Sequence, residues 1–184
     1  MTEKHYALDP SRSSLRVFTY AEGLFARLAH DLELGIHEVE VRVDFEGGNP
    51  RVVAHVPLAS LRVEGVVKHG ALRTDVLSEK DHHEILAKMR GDVFDGASPS
   101  DRLTLEASVS GSRVEGSLVL PSGKRVALGF SLEATPGVDA VAHVKGAFDL
   151  SLKQVAGADV KGPLGAFRIS DRVHVSLDVH LVAT

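Results

Sequence analysis

Histidine is the residue type with the most chemical potential in this chain: there are ten of them and no cysteine. Lacking cysteine, the chain can form no disulfide, thiolate nucleophile, iron–sulfur cluster or cysteine-ligated zinc site. His82 and His83 stand in the run Asp81-His82-His83-Glu84 on a predicted helix. Adjacent helical side chains diverge, so this pair is poorly placed to grip one ion. A metalloprotease helix needs its second histidine four residues after the first, and Ala87 occupies that place after His83. Both therefore read as solvated residues near a helix start. His30-Asp31 reads either as a polar pair at a pocket mouth or as a C-terminal helix cap favoured by the dipole. His55, His143, His174 and His180 fall on outward rows of predicted strands. No Gly-x-Ser-x-Gly elbow, Gly-x-Gly-x-x-Gly turn or phosphate-binding Gly-Lys-Ser/Thr loop occurs. These patterns nominate no catalytic residue, no metal ligand and no cofactor.

The elements that must position any site are strands. From Arg102 to Ala134, three runs alternate apolar and polar residues, separated by Ser110-Gly111-Ser112 and Pro121-Ser122-Gly123. Alternation puts a greasy row on one face and a wet row on the other, and turns this short force antiparallel pairing. Further strands are predicted at 4–9, from Leu15 to near Tyr20, about 32–45, 52–58, 138–152 and the closing run that carries Val173 to Leu181. A short helix is predicted over Ala21–His30, with Leu24, Phe25 and Leu28 on one side. A second begins at Ser78, where Ser-Glu-Lys-Asp fits a capping box, and runs to about Val93. The stretch 59–77 reads as irregular, and 156–170, rich in glycine, as a mobile loop.

Length and composition narrow the class. At 184 residues, 43% hydrophobic and 25% charged, the chain suits one globular domain with a real core. A formal net charge of -4 leaves no basic footprint for nucleic acid. No segment reads as a signal peptide or a membrane span, so a soluble cytoplasmic protein is expected, or a periplasmic one if a signal has been removed. Strands this numerous, long and one-sided bury their apolar rows in a sandwich or a closed barrel. Their length favours the barrel, which also removes exposed edges. The expected fold is thus a single all-β domain over residues 1–184, an antiparallel barrel of eight or more strands with two short helices.

The order of motifs resembles the YceI-like family, lipocalin-like barrels that bind polyisoprenoid or other long-chain amphiphiles. Tyr6-Ala7-Leu8-Asp9 followed by Ser13-Ser14-Leu15-Arg16-Val17 is similar to that family's opening. So are the helix before the meander, the Gly116–Leu120 and Arg125–Leu128 strands, Gly146–Leu150, and Asp171–Val175 near the end. Arg12-Ser13 replaces the family's His-Ser pair, Phe18-Thr19-Tyr20 replaces a second histidine, and the lead into the meander keeps only Pro99. The resemblance implies a divergent member whose ligand is an isoprenoid, quinone or fatty-acyl chain.

On that architecture the inner rows are Val, Leu and Ala with few rings, which in an eight-stranded barrel leaves space for a chain-like ligand. Val17, Val41, Leu118, Phe130 and Phe148 are the candidate lining, with Leu24, Phe25 and Leu28 as a helical lid. His30, Asp31 or the 157–165 loop would meet a polar head. The same rows can instead pack against one another or against the second helix. Three functions follow: a non-enzymatic carrier of a long-chain lipid or isoprenoid, a metal-dependent enzyme at a barrel end, or a solid-core interaction domain. A homodimer is compatible with each.

Overall fold

The computed structural model describes residues 3–23, 29–45, 49–136, 142–162, 165 and 167–184. Its strands are β1 (Glu3–Leu8), β2 (Ser14–Thr19), β3 (Ala21–Glu22), β4 (Asp31–Ile36), β5 (Glu40–Asp44), β6 (Arg51–Pro57), β7 (Leu61–Lys68) and β8 (Ala71–Arg73). After helix α1 (Glu79–Asp92) come β9 (Arg102–Ser110), β10 (Arg113–Val119), β11 (Arg125–Pro136) and β12 (Ala142–Ser151). Helix α2 (Leu152–Ala156), β13 (Arg168–Ile169) and β14 (Arg172–Ala183) complete the chain.

Eight antiparallel strands close into a barrel in the order β1-β5-β6-β9-β10-β11-β12-β14, sealed by β1 against β14. The same edge of β14 also takes β2 along His174–Asp178, and β2 leads on through β4 and β7 to β8. β1 and β2 are thus successive stretches of one wall strand, interrupted at 9–13. β4 and β5 are likewise one strand broken at 37–39, and β6 and β7 one strand broken by the 3-10 turn Leu58–Ser60. The breaks are neighbours: Leu8 N–H donates to Val39 O, and His37 N–H to Ser60 O. They form a crease across three adjacent strands. The expected all-β barrel is therefore the observed fold, and the meander has the expected register, with Gly116 opposite Ala107 and Leu128.

Several local expectations are corrected. Ala21–Glu22 is strand, not helix, because it pairs with Arg168–Ile169; Leu24, Phe25 and Leu28 lie outside the described residues. Among the described residues the two α-helices are α1 and the single turn and a half of α2. The long strand expected over 32–45 is two strands. The stretch 59–77, read as irregular, holds β7 and β8. Leu152 begins α2 rather than ending β12, and the loop 156–170 contributes β13.

The packed core sits at one end of the barrel. Leu58, Leu61, Leu120, Val126 and Val173 from the wall meet Val93 and Phe94 after α1, and Leu152 and Val155 of α2. Helix α1 supplies Leu86 and Met89 to this cluster. Its start is fixed as the sequence signals: Ser78 Oγ accepts the Asp81 N–H at 3.2 Å, and the Asp81 carboxylate accepts the Ser78 N–H at 2.8 Å. The hydroxyl and N–H of Ser78 hold the Asp81 carboxyl below the usual range. Replacing Ser78 by alanine frees one helix-end N–H, and the expected loss is about 1 kcal/mol, read as a lower urea midpoint at unchanged slope.

Candidate functional site

Cross-strand partners share a face of a sheet, so the register settles which side chains enter the barrel. Val17 is opposite Val175, which is opposite Phe148. Leu118 is opposite both Val126 and Leu105, Leu105 is opposite Ala54, and Ala54 opposite Val41. Core residues Val126, Val173 and Leu120 belong to these same rows, whereas Arg16, Glu106, Arg125, Lys145 and Asp178 belong to the others. All five strand residues nominated as lining therefore face inward.

They do not form one contact group. Phe130 and Phe148 stack on adjacent strands, with ring centroids 4.1 Å apart and planes 15° from parallel. Val17 and Leu118 pack against the helix-end core. Val41, 9% exposed, lies on β5 across from Ala54. Sequence reasoning passed over Tyr6, which pairs with Val41, and Leu177, which faces the side-chain-free Gly146. Only the closed register shows that these share the lumen.

Burial is uneven along the inner rows. Near the helices Val126 and Val173 are buried, while Val17, Leu118 and Leu150 are half-buried. Farther from the helices Val114 and Val179 are buried, whereas their partners Phe130 and Val144, and Leu128, Leu132, Phe148 and Leu177, are half-buried although they point inward. Solvent reaches these side chains, so the chain's own atoms do not fully cover this apolar surface. At the rim on that side, Lys4 places its ammonium 5.7 Å from the centre of the Phe45 ring, and Phe45 is 47% exposed. That contact offers an aromatic and a cation side by side.

The polar residues expected at a mouth lie at the opposite, helix-bearing end. Asp31 opens β4, and its Oδ1 accepts the Ala21 N–H at 3.0 Å, tying β4 to β3. His30 is not in a helix and caps none of the described ones; with Ala21, Asp31, Val66 and Lys68 it lines an open groove of about 510 Å3. In the 157–165 loop, Gly162 N–H donates to Phe167 O at 2.8 Å, and a Cβ on Gly162 would collide with the Phe167 ring. Close packing at this point, rather than backbone freedom, explains glycine there.

The histidines read as surface are more engaged than expected. His55 Nδ1 meets Thr104 Oγ1 at 3.0 Å, and His174 Nδ1 meets Asp149 Oδ1 at 2.7 Å, both on outward rows. His82 is not a fully solvated residue: its Nε2 is buried without a hydrogen-bond partner, whereas exposed His83 meets Glu79 O at 2.7 Å. Sequence periodicity also gave no sign of Glu33, an outward-row carboxylate only 4% exposed, which Arg16 Nη1 meets at 3.0 Å.

No family model matches the chain, and no curated protein matches it. The described helices include none long and apolar enough to cross a membrane.

Proposed function

We propose that this protein binds a long-chain apolar or amphiphilic molecule inside its barrel and carries or sequesters it without chemical change. The observation that carries this reading is the half-buried state of the inward Leu128, Phe130, Leu132, Val144, Phe148 and Leu177. Apolar side chains lining a closed wall, yet open to solvent, gain from any tail that displaces that water. Each buried methylene contributes roughly 0.8 kcal/mol, so a long tail binds firmly with no specialised residue. The motif order shared with YceI-like proteins favours an isoprenoid, quinone or fatty-acyl tail. The cation and ring of Lys4 and Phe45 at one rim, or His30 and Asp31 at the other end, suit the head group.

Solvent extraction of the purified protein followed by mass spectrometry tests this directly, and Leu177→Trp sharpens it. A tryptophan there projects toward Gly146, where no side chain opposes it. In an open lumen the ring is accommodated, so unfolding free energy changes by less than about 1 kcal/mol while recovery of the lipid falls. In a filled interior the same ring overpacks the core and costs about 1–3 kcal/mol. Stable wild-type protein that yields no lipid, together with a strongly destabilised Leu177→Trp, would reject the carrier in favour of a solid-core domain.

A further inference from the structure

The outer face of β12 and β14 carries a group that lipid carriage leaves unused. His143 and His180 are direct cross-strand partners. Their rings stack with centroids 4.1 Å apart and planes 11° from parallel. Asp178, two residues before His180 on the same row, meets His143 Nε2 through Oδ1 at 2.6 Å. One ligand atom from each of the three residues lies within 4.8 Å of the others, and among the described residues this is the group that gathers three such donors. All three side chains are half-buried, so they are accessible from solvent.

The site is held in place by the backbone. His180 N–H donates to Ser13 Oγ at 2.9 Å, and His180 O accepts from Ser13 Oγ at 3.3 Å and from Asp9 N–H at 2.9 Å. The 9–13 segment therefore clamps the strand that bears two of the donors. Lys145 Nζ takes Asp178 Oδ2 at 3.1 Å and leaves Oδ1 directed at the histidines. It stands where an outer-shell partner orients a ligating carboxylate.

We propose that His143, Asp178 and His180 form a binding site for a divalent transition-metal ion of the zinc type on the outer wall of the barrel. Two imidazole nitrogens and one carboxylate oxygen suit zinc, whose ligand set they match, and disfavour magnesium or calcium, which need mostly oxygen donors. Three protein ligands leave a position for water or an outside ligand.

The test is isothermal titration of the tag-free, chelator-stripped full chain with zinc chloride, and separately with magnesium chloride. The expected result is one zinc per chain and no magnesium binding. His143→Gln and His180→Gln should each abolish the stoichiometric uptake, and Asp178→Asn should weaken it roughly tenfold or more. His174→Gln, on the same outer face but outside the group, should leave it intact. Circular dichroism checks that each variant is folded, and Asp178→Asn, which preserves side-chain size, keeps the test decisive if a histidine variant is not. Wild-type protein that takes up no zinc would overturn the proposal. So would zinc uptake unchanged in the folded ligand variants, which would place the ion on other histidines.

Discussion

Gly116→Val should cost the fold about 3 kcal/mol, more than any exposed substitution in the same sheet, because it forces two backbones apart. Gly116 lies in the middle of β10, opposite Ala107 of β9 and Leu128 of β11. A Cβ built there would stand inside van der Waals contact of the Glu106 carbonyl oxygen, and 2.6 Å from the Ala107 Cα. The obstacle is main chain, which cannot rotate aside as a side chain can. Either the β9–β10 ladder opens or the barrel wall shifts around it. Gly129→Ala on the next strand is the control. That position is exposed, with nothing within 4 Å of an added Cβ, and losing glycine's backbone entropy there should stabilise slightly, by about 0.5 kcal/mol. Chemical denaturation followed by circular dichroism compares the two. Equal midpoints would mean that β9 and β10 do not approach as closely as described.

Leu58→Ala is expected to cost about 3 kcal/mol by a different route, the opening of a cavity. Leu58 is 2% exposed, among the most deeply buried side chains described, and starts the one-turn 3-10 helix between β6 and β7. It belongs to the cluster that joins the barrel wall to Val93, Phe94 and α2. Its N–H donates to Asp101 O at 2.8 Å, so the surrounding chain is tethered and cannot collapse fully into the vacated volume. Leu72→Ala, at a leucine 40% exposed on β8, should change stability by less than about 0.5 kcal/mol. A Leu58→Ala protein as stable as the Leu72→Ala protein would place the core elsewhere.

What the sequence discloses and what it hides follow from how far apart the partners are. The meander is legible because its strands alternate strictly and its turns are short, so all the information is local. Helix α1 is legible through Ser78 and Asp81 for the same reason. Strand β7 is not, because the ladder slips between Glu33 and Leu34 of the facing strand. Val63 and Val66 are therefore both buried although three residues apart, which is neither the period of a plain strand nor a convincing helical stripe. Strand β8 consists of three exposed residues and carries no pattern at all. At Ala21–Glu22 a distant partner, Arg168–Ile169, overrides the local helical spacing. The inward direction of Val17, Val41, Leu118, Phe130 and Phe148 could be read from alternation alone. The meeting of His143 with His180 and Asp178 could not, because it exists only in the register of two separated strands.

The breaks at 9–13, 37–39 and 58–60 divide three neighbouring staves of the wall into two panels. One panel, β2, β4 and β7, is riveted to the leucine- and valine-rich plug beneath the helices. The other, β1, β5 and β6, is held between β14 on one side and β9 on the other. A fold line of this kind lets the wall turn between the panels without parting, since Leu8 bonds to Val39 and His37 to Ser60 across it.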